Sequence, residues 1–165
     1  MDKHAPPEPP PLGPPPGDVP EDTARYVAWL KTKNKTATTP REDTNLRFGD
    51  WGFFDHDMFQ DRAAIDKSNH VVIGSESGAW RAFLASPGLD PKEAMKRAVW
   101  LWNGDWLDPD KAKDLKIAGK ITAPTLVADH DKMILSGFII QPPSMNPQRL
   151  TITATSAKTT ITFSK

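Results

Sequence analysis

Residues 133–141 read MILSGFIIQ, and this stretch decides the class of fold. Positions 133–140 would present apolar side chains on both faces of an extended chain, which is typical of a strand covered on both sides. Further strand patterns occur at 125–128, 150–155 and 159–164. We therefore predict an antiparallel meander in which residues 133–140 form the central strand.

The last two of these segments alternate between apolar and polar residues. Such alternation predicts strands with one face on the core and one face in water, and the threonines are predicted to face outward. The residues predicted to face inward are Leu150, Ile152, Ile161 and Phe163.

The final strand, 159–164, is predicted to lie at an edge of the sheet. An edge strand can accept or donate a strand across a contact with another protein or with a second copy of the chain. Its outward residues Thr160 and Thr162 are therefore candidate partner-binding residues. The alternative is an ordinary edge that Lys158 and Lys165 protect from association.

Helix-capping patterns precede the predicted sheet. The clearest is DPKE at 90–93, where aspartate supplies the N-cap oxygen, proline occupies the first helical position and glutamate completes a capping box. The Asp-Pro pair at 108–109 repeats this device and predicts another short helix.

Weaker patterns complete the assignment of elements. Further helices are predicted at 20–33, from Asp57 to about 67, and from Ser77 to a stop at 87–88, and short strands at 46–48 and 71–73. Helices first and strands last predict an α+β domain, with several short helices packed on a mostly antiparallel C-terminal sheet.

Nine of the seventeen prolines lie within residues 1–20. This density predicts a disordered, flexible arm with polyproline II character, followed by a single globular domain at 21–165. Pro6 and Pro9 form a PxxP pattern with Lys3 ahead of it, which could dock into an aromatic groove of a partner. A plain spacer is the alternative.

The formal net charge is zero, but it is unevenly distributed. Residues 1–22 hold one lysine against five acidic residues, a net charge of −4, whereas residues 111–165 hold eight basic and three acidic residues, a net charge of +5. The acidic arm could lie against the basic half, or the basic half could meet an anionic partner. Because the basic residues are scattered, nucleic-acid binding is not expected.

The composition excludes several classes of protein and site. The chain contains no cysteine, which excludes disulfides, thiolate metal sites and cysteine nucleophiles. The longest apolar run, 99–102, is far too short for a membrane span. Because the first three residues lead into prolines, no signal peptide is expected. We expect a soluble protein, either cytoplasmic or exported by a signal-independent route.

Two Asp-His-Asp tripeptides, at 55–57 and 129–131, are candidate metal or acid–base sites. Histidine oriented by a carboxylate is what such sites require, so His56, His70 and His130 could serve a small metal-dependent hydrolase. The same tripeptides are also typical of a helix cap and of a hairpin turn. None of the three histidines has a histidine three or four residues away, so we predict no metal and no cofactor.

The sequence GSESG at 74–78 lies between a predicted strand and a predicted helix, as a nucleophile elbow does. Its central position is Glu76 rather than serine, and it lacks the lysine and glycine spacing of a phosphate loop. A plain turn with Ser77 as N-cap fits better. No catalytic residue is predicted.

The chain contains six tryptophans, and this residue is enriched at interfaces. On the helix that begins at 91, Trp102 and Trp106 fit the apolar stripe of the helix, which predicts that they are buried. Trp29 and Trp100 lie off the main apolar faces of their helices, so they are candidates for a partner-binding patch. Core packing of both is the alternative.

These features favour recognition over catalysis. We expect a non-enzymatic binding or assembly protein, such as a secreted effector, an accessory factor or a virion-type component. It would contact another protein or itself through the edge strand, the aromatic patch or the arm. The alternatives are the metal-dependent hydrolase and a weak binder of anionic surfaces.

Overall fold

The computed structural model describes residues 20–33, 40–55, 62–73 and 79–165. In chain order its elements are α1 (Pro20–Thr32), β1 (Arg41–Glu42), β2 (Gly52–Asp55), β3 (Ala63–Ile65), β4 (Val71–Ile73), α2 (Trp80–Leu84), α3 (Pro91–Trp100), β5 (Asp105–Leu107), α4 (Pro109–Asp114), β6 (Thr125–Asp129), β7 (Lys132–Ile140), β8 (Gln148–Ala154) and β9 (Thr159–Ser164). The short helices and antiparallel sheets confirm the predicted α+β class.

The C-terminal sheet is built around β7, which is its central strand, as predicted. Strand β8 pairs along one side of β7, while β6 and β5 share the other side, β6 opposite 132–136 and β5 opposite 138–140. Strand β9 pairs with the outer side of β8. The predicted inward residues Leu150 and Ile152 are fully buried. The core face of this sheet therefore follows the alternation that is visible in the sequence.

A second, four-stranded sheet lies in the N-terminal half, in the order β1-β2-β3-β4. Of its strands the sequence predicted only β4. The predicted helix from Asp57 to about 67 is wrong at 63–65, where the chain forms β3 between β2 and β4. All three residues of β3 are fully buried. Burial on both faces, which no local pattern reveals, outweighs the helical propensity of two alanines.

Helices α2 and α3 contact both sheets. Phe83 of α2 packs edge-on against Phe53 of β2, at 5.8 Å between ring centroids, and α2 and α3 also pack on β7. Gly137 of β7 permits this approach, because a Cβ there would lie 2.8 Å from Cε of Met95 on α3. On the far side of the N-terminal sheet, Tyr26 of α1 stacks on Phe54 at 4.9 Å. The helices thus join the two sheets around one main core.

The two predicted Asp-Pro helix starts are confirmed. A side-chain oxygen of Asp90 accepts the Glu93 N–H at 2.8 Å, and one of Asp108 accepts the Lys111 N–H at 2.7 Å. Each proline stands at the first helical position. These caps set the first residues of α3 and α4 through local contacts alone.

Two other predicted boundaries are wrong. Helix α2 begins at Trp80 with Ala79 at its N-cap, whereas the predicted cap, Ser77, lies outside the described residues. Helix α3 ends at Trp100, because Asn103 adopts the left-handed conformation with φ of 57°. Trp106 consequently lies on β5 rather than on the stripe of α3.

The predicted strand at 46–48 is a turn region instead. Arg97 donates from Nε to the Leu46 carbonyl at 3.1 Å and from Nη2 to the Arg47 carbonyl at 3.2 Å. These carbonyls are therefore bonded to a side chain rather than to a neighbouring strand. Phe48 pairs only with Trp51, across a tight turn that contains Gly49 at φ of 54°.

Candidate protein-binding edge of the C-terminal sheet

Strand β9 forms one outer edge of the C-terminal sheet, as predicted. It pairs with β8, and no other strand within the described part of the chain pairs with it. Thr160 and Thr162 stand opposite Thr153 and Thr151 and are exposed on the outward face. Both candidate residues thus occupy the predicted edge.

The hairpin that starts β9 shows which backbone groups face the open side. The Thr155 N–H donates to the Lys158 carbonyl at 2.7 Å, so these two residues form a hydrogen-bonded pair of the β8–β9 ladder. Hydrogen-bonded and non-hydrogen-bonded pairs alternate along an antiparallel ladder. Residues 160, 162 and 164 therefore direct their backbone groups towards β8. The N–H and C=O groups of Thr159, Ile161 and Phe163 point to the open side.

The same three residues carry the inward-facing side chains of β9. Ile161 stands opposite Ile152 and is half-buried, while Phe163 stands opposite Leu150 and remains 41% exposed. Phe163 has the predicted orientation, but it lies at the rim rather than inside the core. Open backbone groups and apolar side chains consequently occur on the same residues.

An aromatic series connects this rim to the core. The ring of Trp80, which is fully buried, stacks on that of Trp102 at 5.7 Å and 6°. Trp102 is half-buried and meets Phe163 edge-on at 5.4 Å. The sequence does not reveal this series, because its periodicity places Trp102 on the face of α3, and α3 ends at Trp100. The contact fixes the Phe163 ring beside the open edge.

The loop that precedes β9 is held in place by Asp131, in the turn between β6 and β7. The Asp131 carboxylate accepts hydrogen bonds from the Ser156 N–H at 3.0 Å and from the Ser156 hydroxyl at 2.7 Å, and it pairs with Arg81 of α2 at 3.0 Å. The bonds from Ser156, assisted by the charge of Arg81, lower the pKa of Asp131 below its ordinary value. Two hairpins and a helix are joined at this carboxylate.

Strand β6 is the other long edge of the same sheet, and it differs in chemistry. It follows directly after Pro124 and ends in Asp129, next to His130. Proline and charge are the usual means by which an edge avoids association. Strand β9 carries neither within 159–164, since its two lysines flank it. This contrast makes β9 the better candidate for strand addition.

The structure places the two candidate tryptophans at separate positions, both half-buried. Trp29 on α1 stacks on Tyr26 at 6.0 Å, and the Lys33 ammonium lies 5.8 Å from its ring. Trp100 at the end of α3 lies under the Arg62 guanidinium, which is 4.4 Å from its ring. A cation thus covers each ring. The remaining partner-binding candidates, Pro6 and Pro9, lie outside the described residues.

The histidines do not form a metal site within the described ranges. His70, in the turn between β3 and β4, contacts Asp66 at 2.9 Å, while His130 lies 3.9 Å from Asp129 in the β6–β7 turn. Among residues 20–33, 40–55, 62–73 and 79–165, no group of three or more potential ligands could hold a metal ion. His56 and the sequence GSESG at 74–78 lie outside these ranges.

A cavity of about 340 Å³ lies between the N-terminal sheet and α2. Its lining includes Phe48, Trp51, Asp50 and Asp66. The acidic groups are already engaged: Asp50 pairs with Lys67 at 3.4 Å, and Asp66 accepts the N–H groups of the following turn. The cavity contains no further charged group among its described lining residues, and the sequence did not predict it.

A buried ion cluster joins α1 to the N-terminal sheet. The Asp22 carboxylate pairs with Arg25 and Arg47, and Arg47 also donates to Glu42 at 2.7 Å. Burial alone would lower the pKa of Arg47, but the hydrogen bonds and charges of the two carboxylates raise it. The cluster was not predicted, because its members come from three separate segments. The carboxylates of Asp22 and Glu42 both lie against Gly52.

Within the part of the chain that the structure describes, neither the basic residues nor the helices add a further site. Lys111 pairs with Asp105 at 2.6 Å and lies 4.8 Å from the Trp106 ring, while Lys113, Lys116 and Lys120 are exposed. No helix in the described ranges is long and apolar enough to cross a membrane. Comparisons with protein-family models, with curated proteins and with solved structures find no match to this chain.

Proposed function

We propose that this chain is a non-enzymatic protein-binding module, which accepts an extended strand of another polypeptide at the open side of β9. The observation that carries the proposal is the coincidence of open backbone groups and apolar side chains on Ile161 and Phe163. In strand addition, backbone hydrogen bonds supply much of the affinity and alternate side chains supply the specificity.

The chemistry of the edge specifies what an added strand should look like. Its side chains on the inner face would lie beside Ile161 and Phe163, close to Trp102, and should be apolar. Its side chains on the outer face would lie beside Thr160 and Thr162 and should be small and polar. We expect an alternating strand without charge on its inner face.

Each new backbone hydrogen bond would contribute about 0.5–1.5 kcal/mol. Covering Phe163, which is 41% exposed, would contribute roughly 1 kcal/mol, since full burial of such a side chain is worth about 1.5–3 kcal/mol. Each of these free-energy contributions is small, but several of them add up along the strand. Ordering the partner strand opposes them, so binding of moderate strength is expected.

The test is photo-crosslinking from the edge itself. The full chain is prepared with p-benzoylphenylalanine in place of Phe163 and irradiated in an extract of the cells that produce it. Mass spectrometry then identifies the attached polypeptide. We expect an adduct whose cross-linked peptide is an extended, alternating segment.

Two variants make the test specific. The same probe in place of Val127, on the opposite edge strand β6, is a matched control, because Val127 is also exposed at 50%. Ile161→Pro removes an N–H that points to the open side, so it should abolish the Phe163 adduct without breaking the β8–β9 ladder. An adduct that survives Ile161→Pro, or equal adducts from both probe positions, would overturn the proposal.

A further inference from the structure

We infer that the strand added at this edge is β9 of a second copy of the chain, antiparallel to the first and centred on Thr162. This inference rests on the proposed function and names its partner. It is carried by the self-complementary order of residues in β9 and by the direction of its backbone groups.

A two-fold axis perpendicular to the sheet keeps the core faces of both copies on the same side. Inward residues must then stand opposite inward residues, because a shift of one residue would place them opposite outward ones. With Thr162 opposite Thr162 of the second copy, Ile161 stands opposite Phe163 of that copy, and Phe163 opposite its Ile161. Thr160 stands opposite Ser164. Within residues 160–164, every apolar side chain meets an apolar one, and every hydroxyl meets a hydroxyl.

The backbone groups agree with this register. Ile161 and Phe163 direct their N–H and C=O groups to the open side, so the two Ile161–Phe163 pairs are hydrogen-bonded pairs of the new ladder. Thr162 directs its backbone groups to β8. The central Thr162 pair is therefore a non-hydrogen-bonded pair, in which the two Cα atoms stand about 4.5 Å apart.

Neighbouring registers are poorer. A shift of two residues in one direction places Phe163 opposite Thr159, and in the other direction places Ile161 opposite Lys165. In the centred register Lys165 stands opposite Thr159, so the two copies of Lys165 lie about 20 Å apart along the strands. Like charges therefore do not oppose each other directly.

A self-pair of β6 is disfavoured by Pro124 ahead of the strand and by Asp129 at its end. A contact between β9 of one copy and β6 of the next would be head-to-tail. Each molecule would then bind a further one, and the assembly would continue as an open chain. The isologous β9 pair closes after two copies. Because one strand pair is small beside a standard interface of roughly 1,600 Å², the dimer is best detected by covalent trapping.

The experiment uses Thr162→Cys in the full chain, which has no other cysteine. A Cα separation of about 4.5 Å lies within the range that a disulfide bridges, roughly 4.4–6.8 Å. Under mild oxidation we expect most of the protein to run as a dimer on non-reducing gels, and to return to monomer with reductant. Circular dichroism of the reduced variant checks that it folds like the unmodified chain.

Thr160→Cys is the matched control, because Thr160 is also exposed on the same face. In the centred register the two copies of residue 160 lie about 13 Å apart, too far for a disulfide. The double variant Thr160→Cys with Ser164→Cys should cross-link again, since these two residues stand opposite each other. Adding Ile161→Pro to Thr162→Cys should abolish the dimer.

The outcomes separate this inference from the proposed function. Dimers from Thr162→Cys but not from Thr160→Cys support the second copy as partner. If both variants cross-link equally, or if neither does, the inference of a second copy as partner is overturned. If neither cross-links while the probe at Phe163 attaches to a different protein, the partner is wrong and strand addition stands. If that probe also yields no adduct, both proposals fail.

Discussion

Replacing Arg47 with methionine should destabilise the fold strongly, because Arg47 is the cation that joins two buried carboxylates. Its Nη1 contacts both Asp22, whose side chain is 4% exposed, and Glu42, whose side chain is 0% exposed. Removing one partner of a buried ion pair costs about 3–5 kcal/mol. Since the Arg47 side chain retains 29% of its exposure, we take the lower end, about 3 kcal/mol.

The assay is urea unfolding followed by tryptophan fluorescence, with a thermal melt as a second measure. For a domain of this size, about 3 kcal/mol corresponds to a fall in Tm of roughly 6–12 °C. The slope of the free energy against urea should remain that of the unmodified chain, which would show that the same surface unfolds. Arg41→Met, an exposed arginine on β1, is the matched control and should change stability by at most about 0.5 kcal/mol.

A second variant tests the physical cause. If the cost of Arg47→Met comes from uncompensated charge, then adding Glu42→Gln should cost less in the Arg47→Met background than in the unmodified chain. Strictly additive effects would mean that the two side chains do not interact. If Arg47→Met lowers the free energy of unfolding no more than Arg41→Met does, the ion cluster does not hold α1 on the N-terminal sheet and the reasoning is refuted.

Two further predictions concern the C-terminal sheet. Gly137→Ala should destabilise the fold by about 1–3 kcal/mol, because the added Cβ would meet the fully buried Met95 at 2.8 Å. Urea unfolding should show a much smaller cost in a Met95→Ala background, and an undiminished cost there would contradict the steric cause. Asp131→Asn should reduce stability at neutral pH, since hydrogen bonds from Ser156 and the charge of Arg81 lower the pKa of the Asp131 carboxyl in the folded state. That stabilisation is present above the pKa of the unfolded state and is lost as the pH falls through the lower folded-state pKa. The urea midpoints of the two proteins should therefore differ near pH 7 and converge in acid, once the pH lies below the folded-state pKa. A difference that persists in acid would mean that the carboxylate charge is not its source.

The candidate site was predictable in part. Alternation in residues 159–164 identified a strand with Thr160 and Thr162 outward, since a period of two specifies the faces of a strand. Which backbone groups of β9 face the open side could be known only from the β8–β9 ladder, because the hydrogen bond between Thr155 and Lys158 decides which residues face β8. The contact between Phe163 and Trp102 could not be predicted either. It exists because α3 ends before Trp102, and that end depends on the conformation of Asn103.

Signals within a few residues of each other were sufficient for several elements. The caps at Asp90 and Asp108 satisfy helix N–H groups three residues away, so their effect is local and can be read without the fold. The central position of β7 followed from apolar residues on both of its faces. Strand alternation likewise determined that Leu150 and Ile152 face the core.

Contacts between distant segments decided the rest. Ala63–Ile65 form a strand because β2 and β4 pair with its two edges and buried residues of the two core clusters cover its two faces, which outweighs local helical propensity. The carbonyls at 46 and 47 bond to Arg97, some fifty residues away, and so do not enter a sheet. The sequence alone determined the caps and the strand faces. The tertiary structure decided which segments form strands or turns against their local propensity. The reason is that burial and hydrogen bonding depend on neighbours that are remote along the chain.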